Sequence, residues 1–154
     1  MDWKRVYASF DGRMRRRDYW FGLFGIVVMA FVLGSLLSLI IGPRWASLIG
    51  NIVVLYPVAA LVTKRLHDRE KAMNPWLFVF LGVPLLVNLM QTLGIGFGEV
   101  STTGNDPVVM PTGFVGLAVS AVAFAVGLWA LVELGFLRGT RGPNRFGPDP
   151  VPAT

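Results

Sequence analysis

Cysteine is absent from the 154 residues, and histidine occurs once, as His67. Without a thiol there is no disulfide, no zinc–thiolate centre, no iron–sulfur cluster and no cysteine nucleophile, and one imidazole excludes a histidine-rich metal site. No metal and no cofactor is expected. Charge is scarce as well: Asp, Glu, Lys and Arg make up 15% of the chain, whereas 54% is hydrophobic. An average soluble domain carries about 25% charged residues, so a water-soluble globule is excluded. The length suits one domain, with no room for a catalytic domain beside it.

The hydrophobic residues gather in four runs: Trp20 to Ile41, Trp45 to Thr63, Trp76 to about Leu93, and Thr112 to Leu137. Each is close to or above the roughly 20 residues that a helix needs to cross a hydrocarbon core. A soluble helix bundle would show a polar stripe on every helix. These runs are apolar all round apart from scattered Ser, Thr, Asn and Gln, and Glu133. The sequence therefore predicts an all-α, polytopic membrane protein forming a single domain over 1–154. An interfacial segment occupies 1–12, transmembrane helices lie at about 20–41, 45–63, 76–93 and 112–137, and a non-helical tail covers 138–154. The first run is too long for a signal-peptide core of about 7–15 residues, and no small-x-small cleavage site follows it. Arg15-Arg16-Arg17 is likewise not read as a twin-arginine export signal.

Lys and Arg resist transfer across the bilayer during insertion, so their placement gives orientation. Thirteen of the fourteen fall in the N-terminal segment, the second connection and the tail, which share one side. Only Arg44 lies on the other side, where the connection from about Gly94 to Pro111 carries Glu99 and Asp106 and no base. Both termini are expected in the cytoplasm. Trp20, Trp45, Trp76 and Trp129 lie near run ends, at headgroup depth. The net charge of +5 does not point to nucleic acid, because bases flanking membrane spans are what insertion itself requires.

Within the runs, Ala30, Gly34, Ser38 and Gly42 form a small-residue stripe, and Gly116, Ser120, Ala121, Ala123, Ala125 and Gly127 give the fourth run similar spacings. Such patterns allow close helix approach, in a bundle interior or a dimer seam. Pro57 and Pro84 are expected to kink the second and third helices. Asn51, Asn88 and Gln91 are read as interhelical hydrogen-bonding groups. Glu133, the one acid inside a run, is a candidate intramembrane ionisable site. It stands about one turn from the cytoplasmic end, where it can also snorkel or pair with a base at the start of the first helix.

The polar segments carry the specific chemistry. Trp3, Val6, Tyr7 and Phe10 recur at helical spacing with Lys4 and Arg5 off that face, as in a short helix lying in the interface. Asp11-Gly12 supplies a turn, after which Arg13, Arg16, Arg17 and Trp20 share one helical side. Lys64 to Lys71 forms a second basic segment. The tail contains Asn144 to Asp149, too varied for a flexible linker. These segments share one side, so Arg13, Arg16, Arg65, His67, Asp68, Asn144 and Asp149 can meet in one cytoplasmic patch.

In three motifs the chain resembles the DUF805 family of small bacterial inner-membrane proteins. They are Phe10-Asp11-Gly12-Arg13 with Arg16 and Tyr19-Trp20, Lys64-Arg65-Leu66-His67-Asp68 followed by Trp76, and Gly142-Pro143-Asn144-Arg145-Phe146-Gly147-Pro148-Asp149-Pro150. They span the chain in the family's order. The departures are local: Arg69 to Pro75 replaces a Gly- and Ser-containing turn, one indole (Trp76) replaces a pair, and Phe146 replaces Tyr. The resemblance implies a four-helix domain in the bacterial inner membrane and no established activity.

Three functional readings follow. In the first, a non-enzymatic protein holds the patch as a polar clasp, with Asp68 and Asp149 pairing to arginines and Asn144 capping a helix end or turn. That clasp would serve binding to anionic lipid headgroups, a second copy or another membrane protein. The second is a small channel or transporter using the kinked helices and Glu133. The third is a lipid-modifying enzyme with His67 oriented by Asp68, although adjacent side chains on a helix diverge by about 100°.

Overall fold

The computed structural model describes residues 3–101 and 107–151. A short helix α1 (Trp3–Ala8) leads into α2 (Arg16–Ile41), α3 (Pro43–Asp68) and α4 (Val83–Leu93), the last entered through a π-helical turn over Phe78–Gly82. A hairpin of β1 (Phe97–Ser101) and β2 (Pro107–Pro111) follows. Helix α5 (Gly113–Ala130) then continues as a π-helical end over Leu131–Phe136. Among the described residues, three helices are long and apolar enough to cross a membrane, and Phe78–Leu93 is a shorter apolar one. The chain is a polytopic helical membrane protein, as its four runs predicted.

Helix α3 is the central element: 44% of its most apolar window is buried, against 6% for α2 and for α5. The outward surfaces of α2 and α5 carry large apolar side chains such as Phe31, Leu39 and Phe114. Such a surface is stable only against lipid. The core joins Ile26 and Tyr19 of α2, Leu61, Val62 and Leu66 of α3, Phe80, and Leu134 beyond α5. The stripe of Ala30, Gly34 and Ser38 lines a groove shared with Ala46, Ser47 and Gly50, so it faces α3 within the bundle.

Two boundaries differ from the hydropathy runs. Helix α2 begins four residues before Trp20, and α3 continues past Thr63 to Asp68. The segment Lys64 to Asp68 is therefore the last turn of a helix, not a connection. Hydropathy ends a span at its first charge, but a helix extends where charged side chains find partners, and cations suit a C-terminus. Arg13 is likewise not on a helical side with Arg16 and Arg17; it lies in the non-helical segment before α2. Pro57 sits inside an uninterrupted α3, whereas Pro84 follows the π-helical turn.

The all-α expectation gains one small addition, the hairpin inside the connection from Gly94 to Pro111. Its antiparallel register pairs Phe97 with Pro111 and Glu99 with Val109. An isolated two-stranded hairpin is marginal in water. Here Phe97 is buried, Thr112 N donates to Gly96 O at 2.8 Å, and Gly116 lies so close to the Gly96 carbonyl that a side chain there would collide with it. The Trp3 side chain and Asp106, both used in the sequence reading, lie outside the described residues.

Candidate functional site

Helices α1, α3 and α5 all end at the same end of the bundle, where α2 begins. The last four carbonyls of a helix lack intrahelical donors, and the helix end carries partial negative charge. Three sets of such carbonyls thus converge, and basic and other polar donors answer them. For α5, Arg65 donates from Nε to Leu134 O at 2.6 Å and from Nη2 to Leu137 O. Trp20 Nε1 donates to Gly135 O at 3.2 Å and Arg16 Nη1 to Phe136 O at 3.0 Å. For α1, Lys64 Nζ donates to Arg5 O at 2.6 Å and to Val6 O, while the Tyr56 hydroxyl donates to Ala8 O at 3.0 Å. For α3, Asn144 Nδ2 donates to His67 O at 2.9 Å, and Thr140 donates to Asp68 O from N at 2.8 Å and from Oγ1 at 3.1 Å.

One buried ion cluster ties these ends together. Asp68 accepts from Arg13 on Oδ1, with Nη2 at 2.9 Å and Nε at 3.0 Å, and from Arg65 Nη1 on Oδ2. The three side chains are 1%, 6% and 0% exposed for Arg13, Asp68 and Arg65. Two guanidiniums facing one carboxylate leave a surplus positive charge. Carbonyl oxygens offset it: Arg13 also donates to Thr140 O and Gly142 O, each at 2.6 Å. The tail is thereby bolted to the bundle. Gly139 has no alternative at its position, because a Cβ there would land on the Asp68 carboxylate.

The remaining predicted residues join the same cluster in different ways. The His67 ring stacks on Phe146 with centroids 3.8 Å apart, and its Nδ1 lies 3.2 Å from Gly12 O. His67 and Asp68 therefore point to separate partners. Asn144 caps α3 and also accepts from Phe146 N at 2.9 Å, combining the helix-end and turn roles expected of it. Asp149 does not pair with an arginine among the described residues. Its carboxylate accepts from Gly142 N at 2.8 Å and Val151 N at 2.9 Å, and these backbone donors hold its pKa below the ordinary value. A tail this rich in Gly and Pro leaves backbone N–H groups unpaired, and Asp149 takes two of them.

Across the chain, a search against known families matches the description "Protein of unknown function (DUF805)" over residues 7–148. The chain belongs to the DUF805 family. Among DUF805-related proteins, inner membrane protein YhaI of Escherichia coli K12 is 34% identical over 107 residues, 66% of this chain and 87% of its own. Inner membrane protein YhaH of the same strain is 28% identical over 160 residues, 97% of each chain. The uncharacterized protein YiiR is 28% identical over 145 residues, 92% of this chain and 85% of its own. No solved structure matches. The three motifs that placed the chain in DUF805 are the segments that build the clasp.

Glu133 is buried, but its partners are not at the start of the first helix. Arg69 Nε at 3.0 Å and Lys71 Nζ at 2.8 Å, just beyond α3, hold its Oε1. Sequence reasoning missed both, together with Lys64, Thr140 and Gly139. The available signal was the helical spacing from Arg65 to Arg69, visible only once α3 was known to run on past Thr63. No group of three or more acidic, histidine or cysteine side chains able to hold a metal occurs among the described residues.

Proposed function

We propose that the chain is an integral protein of the bacterial inner membrane with the clasp end and both termini in the cytoplasm. It acts by binding, offering a basic rim around the clasp to anionic phospholipid headgroups. One observation carries this reading: the arginines fall into two classes. Arg13 and Arg65 are buried and saturated by this chain's own acceptors, which leaves them nothing to offer a ligand. Arg16, Arg17, Arg138, Arg141 and Arg145 are exposed around them. Each base at an anionic leaflet adds about 1 kcal/mol of attraction. The inner-membrane names of YhaI and YhaH support the location, and the one-sided distribution of bases supports the orientation.

Binding is favoured over the other two readings. Asp68 is taken up by two arginines and does not orient His67, and Glu133 is clamped by two bases. The test is lipid retention. Protein purified in mild detergent should retain phosphatidylglycerol and cardiolipin above their share of the membrane, and Arg17→Ala/Arg138→Ala/Arg141→Ala should lose the enrichment. Equal enrichment in both proteins would remove the rim as a binding surface. Orientation is tested separately in the cysteine-free chain. Val108→Cys should react with an impermeant maleimide from outside intact cells, and Arg141→Cys only after permeabilisation.

A further inference from the structure

At the end of the bundle opposite the clasp, Arg44 and Glu99 line one pocket of about 320 Å³ with Gln91 and the backbone around Gly94 and Gly98. Neither charged side chain forms a hydrogen bond or ion pair among the described residues, so a cation and an anion face a shared space with no partner from those residues. Gly94 makes room for the guanidinium: its φ of +72° suits glycine, and a Cβ there would lie 3.1 Å from Arg44 Nη2. Gln91 also lines a second, larger cavity of about 420 Å³ between α3 and α4. That cavity runs past Asn88 and Pro84 to Phe80, with Asn51 opposite on α3, and is otherwise walled by aliphatic residues such as Val54 and Val58. From Gln91 to Phe80 the helical rise amounts to roughly 16 Å, close to the ~15 Å that one leaflet contributes to a hydrocarbon core. Asn88 Oδ1 is buried there without a hydrogen-bond partner among the described residues, while its Nδ2 reaches Ser47 Oγ at 3.4 Å.

We infer that these two cavities form one binding site for a zwitterionic phospholipid with a primary-ammonium headgroup. The headgroup phosphate meets Arg44, the ammonium meets Glu99, and an acyl chain lies in the groove below Gln91. Guanidinium forks match phosphate oxygens, and a carboxylate selects an ammonium against an uncharged headgroup. An anionic lipid would bring its phosphate to Arg44 and leave Glu99 with no cation. A free zwitterion would fill the polar pocket and leave the groove unused, so continuity through Gln91 selects the lipid. The site is separate from the basic rim, and either can fail without the other.

The experiment uses the whole protein in nanodiscs of equal phosphatidylethanolamine and phosphatidylglycerol, stripped by graded detergent washing, with retained lipids quantified by mass spectrometry. With the basic rim removed by Arg17→Ala/Arg138→Ala/Arg141→Ala, so that lipids held there do not enter the ratio, the protein should retain phosphatidylethanolamine in preference by about tenfold, the scale of one charge-assisted hydrogen bond, and the further variants are made in that background. Glu99→Gln should bring that ratio to parity, and Arg44→Gln should lower retention of both lipids. Leu85→Trp, which fills the groove, should do the same as Arg44→Gln with the headgroup pocket intact. A phosphatidylethanolamine with a photoreactive acyl chain should crosslink to the peptide around Pro84. Unchanged selectivity in Glu99→Gln, or crosslinks spread evenly over the outward faces of α2 and α5, would overturn the proposal. So would equal displacement of the lipid by soluble phosphoethanolamine, which would assign the pocket to a free zwitterion.

Discussion

Asp68→Asn is the sharpest perturbation of the clasp. It keeps the shape of the side chain and removes the one carboxylate between two guanidiniums that are 1% and 0% exposed. Removing one partner of a buried ion pair costs about 3–5 kcal/mol, because the other charge stays buried and uncompensated. Two considerations place this site near the lower end. Arg13 keeps its bonds to Thr140 and Gly142, and Arg65 keeps those to Leu134 and Leu137. The expected cost is therefore about 3 kcal/mol, and because each 1.4 kcal/mol is a factor of ten, the released tail should be populated on the order of 100-fold more. The assay is trypsin cleavage after Arg141 and Arg145 in detergent, at protease concentrations where cleavage follows the open population. Asp18→Asn serves as the control: its pair with Arg17 spans 4.0 Å at the surface, with the arginine 79% exposed, and should contribute less than about 0.5 kcal/mol. High salt should leave the Asp68 effect in place, since buried pairs are little screened. If Asp68→Asn and Asp18→Asn are cleaved at the same rate, the ion cluster does not hold the tail.

Gly139→Ala should lower the thermal stability of the detergent-solubilised protein by the equivalent of about 1–3 kcal/mol, because its Cβ displaces the Asp68 carboxylate; an unchanged melting temperature would contradict that contact. Asn144→Ala loses the cap on α3 and the turn to Phe146, and should raise tail cleavage by roughly fivefold, the equivalent of about 1 kcal/mol. Glu133→Gln should destabilise less than Asp68→Asn, as its partners Arg69 and Lys71 are 23% and 29% exposed and can turn to water, and it should leave proteoliposome ion flux unchanged. Asp149 has a folded-state pKa below the ordinary aspartate value, so its contribution is complete above that value and is lost as pH falls through the lowered one. An acid-active protease should show the tail loosening only in that acidic window, and Asp149→Asn should loosen it at neutral pH too.

The membrane class, the four runs, the sidedness of charge and the three motif segments follow from the sequence alone, because each depends on composition within a window. Transfer of apolar residues into lipid and exclusion of bases from it act on a segment whatever its neighbours are. Partner choice is different in kind. Hydropathy ended the second run at Thr63, yet Lys64, Arg65 and Asp68 stay helical because acceptors from α1 and from the end of α5, and donors from the tail, surround them. The sequence offered Glu133 a base at the start of the first helix, whereas its partners are Arg69 and Lys71, which reach it only across the packed end of α3. Most important, it pointed to carboxylates and external anions as the arginines' partners. The tertiary structure keeps Asp68 between Arg13 and Arg65 and adds main-chain carbonyls, those of helix ends brought to one place. Unsatisfied carbonyls belong to every helix C-terminus and have no residue type to mark them, so only the assembly of three such ends decides where the basic motifs are needed.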